Sequence, residues 1–183
     1  MPKAKPRPRH GETDHRFKAL PSRKPMKLGY HPHMFDVLVY LYENYWRHDA
    51  CPDQDQLARK LKSAGFERDE IHEALNWLDG LAETARTYTG DQSPTGMRVF
   101  TRQEQEHLGE DSLGFLSFLE SAGVLPAKTR ELVMDRAMAV EASPIPLEDL
   151  KIIVLMAFWS QGTEPDALIL DELFVDAQDR LIH

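Results

Sequence analysis

The sequence predicts a mainly α-helical protein in which a winged-helix-like module, made of three helices and a β-hairpin, precedes a helical bundle. Apolar residues recur at helical spacing through most of residues 34–183. Two predicted helices end in the same Ser-Ala-Gly-apolar sequence, and short β-prone runs lie between residues 87 and 100. We therefore divide the chain into a tail (1–33), a winged-helix-like module (34–102) and an α-helical module (103–183).

The tail is basic and carries nine Lys/Arg against two Asp/Glu, a net charge of +7. Prolines interrupt it and no helical or strand period is present, so we predict disorder. Three interpretations stay open. The tail is a nucleic-acid-binding arm held by phosphate attraction, or an unstructured leader, or translation starts at Met34, where the folded pattern begins abruptly.

Two helices open the winged-helix-like module. The first, over 34–46, places its large apolar residues on one face. Pro52 interrupts the chain, and Asp53 can cap a second helix with Gln56 as its capping-box partner. This second helix is predicted to end at Ala64.

The third helix begins after a sharp turn at Gly65, which suits a left-handed residue beyond a helix end. Leu61 and Phe66 then occupy the two positions that touch in a Schellman ending. The helix is predicted to run to Leu81. Its apolar face contains Ile71, Ala74, Leu75, Leu78 and Leu81, and its exposed face contains Glu70, His72, Glu73, Asn76 and Asp79.

The β-prone runs 87–89 and 97–100, with the turn-rich residues 90–96 between them, predict the hairpin of the winged helix. In a DNA-binding winged helix the third helix would enter the major groove. Three carboxylates on its exposed face would repel the phosphates instead. We therefore predict that this face binds a basic protein, and its candidate partner-binding residues are Glu70, Glu73, Asn76 and Asp79.

A smaller group of cations supports an alternative, in which the module binds nucleic acid directly together with the tail. This candidate nucleic-acid patch consists of Arg59, Lys60, Lys62, Arg86, Arg98 and Arg102. The plainer interpretation is that these side chains are simply solvated. Nucleic acid is the disfavoured partner because of the carboxylates on the third helix.

The α-helical module begins with a capping-box sequence, Thr101 at the N-cap and Glu104 three residues later. It opens a short polar helix that stops near Gly109. An apolar helix follows and ends at Gly123 with a second Schellman ending, in which Leu119 is paired with Val124.

Three further helices are predicted. Pro126 suits a first helical turn, and a helix follows over 129–141. The Pro-containing residues 143–146 form an extended link. Residues 147–159 are apolar on all sides, which predicts the central helix of this module, ended by Gly162. Pro165 begins the last helix.

No motif in the chain indicates catalysis or a cofactor. There is no Gly-rich phosphate loop and no nucleophile elbow. Cys51 is the single cysteine, which excludes an internal disulfide and a multi-cysteine zinc site. A hydrolase using His48 and Cys51 is the weakest hypothesis, because adjacency in sequence does not place the thiol on the imidazole. We predict no enzyme activity, no cofactor and no metal.

Charge and hydropathy predict the class of binding partner and the cellular compartment. Residues 34–102 carry −4 and residues 103–183 carry −11, which favours a basic protein partner. The longest apolar run, 152–159, is far shorter than the roughly 20 residues of a membrane span. The lone thiol and the absence of an apolar leader predict a cytoplasmic protein.

From Met34 onward the sequence resembles the Smg family of bacterial proteins. The matching stretches are spread over about 150 residues: 34–38, 64–66, 71–78, 98–101, 114–120, 129–131, 147–156 and 172–174. The resemblance implies an intracellular bacterial protein, supplies no known catalytic or binding residues, and suggests a link with DNA processing or topology. Together with the acidic charge, it favours a non-enzymatic protein–protein adaptor.

Overall fold

The structure, a computed structural model, describes residues 34–45, 54–88, 98–163 and 169. Six helices occupy this part of the chain. In chain order they are α1 (Met34–Asn44), α2 (Gln54–Ala64), α3 (Arg68–Thr87), α4 (Arg102–Ser121), α5 (Ala127–Met138) and α6 (Leu147–Ser160). The mainly α-helical class is thereby confirmed.

The most apolar helix, α6, lies at the centre. Every residue from Asp149 to Trp159 is buried, and α6 packs against α1, α3, α4 and α5. This is what a helix that is apolar on all sides requires, because each of its faces must be covered. The prediction of a central helix over 147–159 is confirmed.

The helices before and after residue 102 share one hydrophobic core. The helix α3 packs on α5, and the indole nitrogen of Trp77 donates a 3.3 Å hydrogen bond to the carbonyl oxygen of Arg136. The indole nitrogen of Trp159 likewise donates to the carbonyl oxygen of Tyr45 at 3.0 Å. These contacts join the first three helices to the last three. The domain boundary at residue 102 itself stays a prediction.

Both predicted Schellman endings are confirmed. Gly65 and Gly123 have φ values of 106° and 72°. The amide of Phe66 donates to the carbonyl oxygen of Leu61 at 3.2 Å, and the amide of Val124 donates to that of Leu119 at 2.9 Å. A side chain at either glycine would strain the backbone, which is why glycine ends these helices.

The β-hairpin prediction is wrong. The helix α3 continues past Leu81 to Thr87, and no strand is present in the residues that the structure describes. The hydroxyl of Thr84 donates to Oδ2 of Asp135 at 2.8 Å, and that of Thr87 donates to the carbonyl oxygen of Glu83 at 2.8 Å. These bonds support the helix where β-propensity favoured a strand.

The second half of the predicted hairpin is not a strand either. Residues 98–100 carry no strand assignment, and the side chain of Val99 is 84% exposed. Arg98 instead turns towards carboxylates of α4 and α5. The described residues before 102 are therefore helical with no hairpin strand among them, and residues 89–97 lie outside the described part.

The capping box of α4 and the break at Gly109 are confirmed. The hydroxyl of Thr101 accepts from the amide of Glu104 at 3.2 Å, and the Glu104 carboxylate accepts from the amide of Thr101 at 2.7 Å. Gly109 has a φ of 75°, which interrupts the helix. A Cβ there would stand 3.2 Å from Cβ of Pro144, so the α5–α6 link passes close to the break.

Pro126 is the N-cap of α5 rather than part of its first turn. The helix begins at Ala127 and ends at Met138. The predictions for the basic tail, for the cap at Asp53 and for a last helix from Pro165 lie outside the described residues. Ile169, the one described residue beyond Thr163, is helical and packs against the core.

Candidate interaction surfaces

Two of the four candidate partner-binding residues on α3 support local structure. The carboxylate of Glu70 accepts a 2.8 Å hydrogen bond from the amide of Glu67, and the two form a capping box at the start of the helix. The carboxylate of Asp79 accepts a 3.0 Å hydrogen bond from the side-chain amide of Gln54 on α2. Part of the acidity of this face therefore stabilises the α2–α3 pair.

The other two residues, Glu73 and Asn76, are exposed. The amide nitrogen of Asn76 lies 3.1 Å from Nε2 of His72, one helical turn earlier. Glu73 is therefore an exposed carboxylate of this face. The prediction that the face binds a partner stays a prediction.

Arg98, the central residue of the candidate nucleic-acid patch, is turned inward. Its side chain is 16% exposed and forms ion pairs with Glu104 at 2.7 Å and Glu131 at 2.8 Å. Its guanidinium also lies over the ring of Phe100, 4.7 Å from the centroid. The hydrogen bonds that Arg98 donates to Glu104, and then those to Glu131, raise the pKa of Arg98 further above its ordinary value. This cation is already neutralised within the fold.

Two further members of the patch are exposed and paired. Arg102 forms an ion pair with Glu106 at 2.8 Å, one turn along α4. Arg86 pairs with Glu83 on α3. Such exposed pairs contribute about 0–1 kcal/mol, so both cations can exchange partners readily.

The remaining three cations lie on α2. Nε of Arg59 donates to the carbonyl oxygen of Asp55 at 3.1 Å, and Nζ of Lys60 stands 5.3 Å from the ring centroid of Tyr45. Lys62 is exposed in the last turn. The six cations of the patch are therefore divided. Three lie on α2, and the other three are arginines that pair with carboxylates of α3, α4 and α5.

A half-buried ion network that sequence reasoning missed joins the two ends of α4 to α5. It runs from Glu104 through Arg98, Glu131 and Arg130 to Glu120. The side chain of Arg130 is 4% exposed. The hydrogen bond from Arg98, assisted by those from Thr101, lowers the pKa of Glu104 to about 2. No sequence signal reveals this network, because Arg98 and Glu131 are 33 residues apart.

Most of the exposed charged side chains in residues 103–163 are carboxylates. This stretch contains four basic residues, of which Arg130 and Lys151 are buried and Arg136 is largely covered. Lys128 is its single exposed cation. Its exposed carboxylates are Glu106, Glu110, Asp111, Asp135 and Glu141. Among the exposed charged side chains of this stretch, carboxylates therefore outnumber cations by five to one.

Three of these carboxylates, Glu110, Asp111 and Glu141, form what we name the acidic edge. The first two follow the break in α4, and the third lies in the α5–α6 link. The amide of Ile145 donates to the carbonyl oxygen of His107 at 2.8 Å, which holds the link beside the break. The acidic edge therefore follows the break in α4 and the link that packs beside that break.

Neither a metal centre nor a membrane span is visible in the described part of the chain. No group of three or more His, Cys, Asp or Glu residues there is arranged to hold a metal ion. No helix there is long and apolar enough to cross a membrane. His48 and Cys51, the candidates for nucleophilic chemistry, lie outside the described residues.

Comparison with known proteins gives the family. The family described as "Protein of unknown function (DUF494)" has a model that matches residues 34–183. The chain belongs to this family. Its curated relatives are named Smg homologs, so the Smg resemblance of the sequence is confirmed.

The Smg homolog of Methylibium petroleiphilum is 69% identical over 150 residues, which cover 82% of this chain and 100% of the relative. That of Leptothrix cholodnii is 67% identical with the same coverage. That of Bordetella pertussis is 53% identical over 152 residues, again covering 82% of this chain and 100% of the relative. No solved structure matches the chain. The names of these bacterial Smg relatives do not state an activity.

Proposed function

We propose that this Smg-family protein is a non-enzymatic adaptor whose acidic surface binds a basic protein. The observation that supports the proposal is the excess of exposed carboxylates over exposed cations in residues 103–163. Arg130 and Lys151 lie in the interior, and Lys128 alone among the four cations of this stretch is exposed. Five exposed carboxylates face solvent against that single ammonium group.

Such a surface favours a partner of opposite charge for a physical reason. Clustered charge of one sign raises the local concentration of a complementary partner and its association rate. The effect weakens with salt, because charges more than about 10 Å apart are screened at an ionic strength of 0.1 M. Proteins that handle DNA carry clustered Lys and Arg, and they are included in the proposed partner class.

The acidic edge is the first candidate contact, because Glu110 and Asp111 follow the break in α4 beside which the link with Glu141 is held. The exposed face of α3, with Glu73 and Asp79, is the second. A direct nucleic-acid-binding function receives less support, because Arg98 is held between Glu104 and Glu131.

The test is affinity capture with the tagged full-length chain from a lysate of the source bacterium, at low and at moderate salt. Two variants with the same change in charge serve as controls for each other. One is Glu110→Lys with Asp111→Lys at the acidic edge, and the other is Glu73→Lys with Asp79→Lys on α3. Captured proteins are identified by mass spectrometry, and the affinity of a purified partner is then measured for all three chains.

We expect the capture to recover a basic protein whose affinity falls as the salt concentration rises. Its binding should be lost in one of the two variants and kept in the other. That result identifies the contact surface. Equal loss in both variants would show a response to net charge alone and would contradict a specific adaptor. Recovery of no basic protein at either salt would also refute the proposal. A labelled DNA duplex, titrated at the same salts, tests the nucleic-acid alternative directly.

A further inference from the structure

A groove of about 430 Å³ opens where three helices meet: the last turns of α3, the start of α5 and the end of α6. It is open to solvent rather than enclosed. Its lining residues are Ala82, Ala85, Arg86, Tyr88, Lys128, Leu132, Ser160 and Gln161. Helices from both halves of the chain therefore build it.

The lining combines small apolar side chains with two cations. Ala82, Ala85 and Leu132 supply the apolar part, and Arg86 and Lys128 supply positive charge. The lining contains no carboxylate. Lys128 is moreover the one exposed cation between residues 103 and 163. The groove is thus a basic site in an acidic protein.

The polar groups of the groove are mainly hydrogen-bond donors. The hydroxyl of Thr129 donates to Oε1 of Gln161 at 3.2 Å, so the amide nitrogen of Gln161 keeps its hydrogens for a ligand. The hydroxyl of Ser160 donates to the carbonyl oxygen of Ala157 at 2.8 Å, which leaves its oxygen as an acceptor. Arg86 contacts Glu83, but that pair is exposed on both sides and weak. An acidic ligand can therefore engage Arg86 as well as Lys128.

We propose that this groove binds an acidic peptide segment of a partner protein, with an apolar side chain seated between Arg86 and Lys128. Carboxylates on either side of that side chain would meet the guanidinium and the ammonium group, which are charge-assisted contacts. Two cations around an apolar floor suit a short peptide better than nucleic acid, whose binding depends on a longer row of phosphate contacts. The site is distinct from the acidic surface proposed above, since it selects a ligand of the opposite charge.

The test is selection of a random peptide library displayed on phage against the full-length chain, followed by fluorescence anisotropy with the enriched peptides. Two variants alter the groove at exposed positions: Lys128→Glu reverses a charge, and Ala82→Phe fills space. Arg102→Glu is the matched control, because it reverses an exposed cation that does not line the groove. Circular dichroism verifies that each variant is folded.

We expect enriched peptides that contain carboxylates around an apolar residue. Their Kd should rise at least about tenfold in Lys128→Glu, equivalent to about 1.4 kcal/mol, and also rise in Ala82→Phe. It should stay unchanged in Arg102→Glu. The absence of acidic peptides from the selection would overturn the proposal, as would equal binding to Lys128→Glu. A single-stranded oligonucleotide that competes at lower concentration than the peptides would reassign the groove to nucleic acid.

Discussion

The guanidinium group of Arg136 on α5 lies against the backbone of α3 at Gly80. A Cβ on Gly80 would overlap Nη1 of Arg136 and would stand 3.0 Å from Cζ. The same guanidinium pairs with the adjacent carboxylate of Asp135 at 2.6 Å, and that carboxylate accepts the hydroxyl hydrogen of Thr84. A glycine within a helix thus provides the space in which an arginine of another helix is held.

This relationship predicts strong coupling between the two residues in a double-mutant cycle. In an Arg136→Ala background, Gly80→Ala should stabilise the protein by about 1 kcal/mol, because alanine is the better helix former. In the wild-type background that gain should be cancelled or reversed, since Cβ displaces the guanidinium. Urea unfolding of the four proteins measures the coupling. Equal effects of Gly80→Ala in both backgrounds would contradict it.

The ion pair between Arg98 and Glu104 predicts a pH-dependent stabilisation. The pKa of Glu104 is lowered from 4.5 to about 2 in the folded protein. Stabilisation by this carboxylate is therefore complete above about pH 4.5 and is lost as the pH falls towards about 2. Glu104→Gln keeps the capping-box geometry but removes the charge, so it should cost about 1.5–3 kcal/mol at pH 7.

The measurement is the free energy of unfolding of Glu104→Gln and of the wild type from pH 7 down to pH 2. The difference between them should shrink below about pH 4.5. Glu106→Gln is the control, because its pair with Arg102 is exposed and worth under about 0.5 kcal/mol. A difference that stays constant across this pH range would show that the charge of Glu104 is irrelevant.

Two glycines near the end of α4 predict opposite responses to alanine. Gly123 has a φ of 72°, so Gly123→Ala should destabilise by about 1–2 kcal/mol. Gly114 is an exposed glycine inside the helix with nothing within 4 Å of an added Cβ. Gly114→Ala should therefore stabilise by about 1 kcal/mol. Thermal unfolding of both variants decides, and a shift of the same sign would refute the assignment of the helix end.

Among the charged residues of the ion network, we expect the replacement of Arg130 to cost the most stability. Its side chain is 4% exposed and pairs with Glu120 and Glu131. Arg130→Met should cost about 3–5 kcal/mol, because it takes the buried guanidinium away from Glu120 and leaves Glu131 paired with Arg98. Arg102→Met, at a 90% exposed arginine, should cost less than about 1 kcal/mol. Denaturant midpoints of the two variants provide the comparison, and similar midpoints would mean that the network contributes little.

The helices and their ends could be predicted because their causes are local. The two Schellman endings, at Gly65 and at Gly123, depend on a glycine and on an apolar pair five residues apart. The capping box at Thr101 and the break at Gly109 depend on a few neighbouring residues as well. The predicted third helix ends too early, at Leu81, because Thr87 and its neighbours have β-propensity. A hydrogen bond from Thr84 to Asp135, 51 residues away, supports the helix there.

From the sequence, the candidate surfaces could be predicted only through the net charge of each stretch of the chain. The residue count gives a net negative charge for residues 103–183, but such counting treats Arg98 and Arg130 as available cations. The structure places both in an ion network with carboxylates of α4 and α5. It also brings Arg86 and Lys128, 42 positions apart, to the two sides of one groove. Such pairings depend on which helices meet, and no local pattern encodes that.

The sequence by itself determined the helical class, the central position of α6, the glycine helix ends and the membership of the Smg family. Each follows from short-range periodicity, from turn chemistry or from similarity along the chain. Only the tertiary structure decided that α3 continues to Thr87 in place of a predicted strand, that Gly80 accommodates Arg136, and which charges of the described residues reach solvent. The physical reason is that burial and ion pairing arise between residues far apart in sequence, where packing of helices sets the distances.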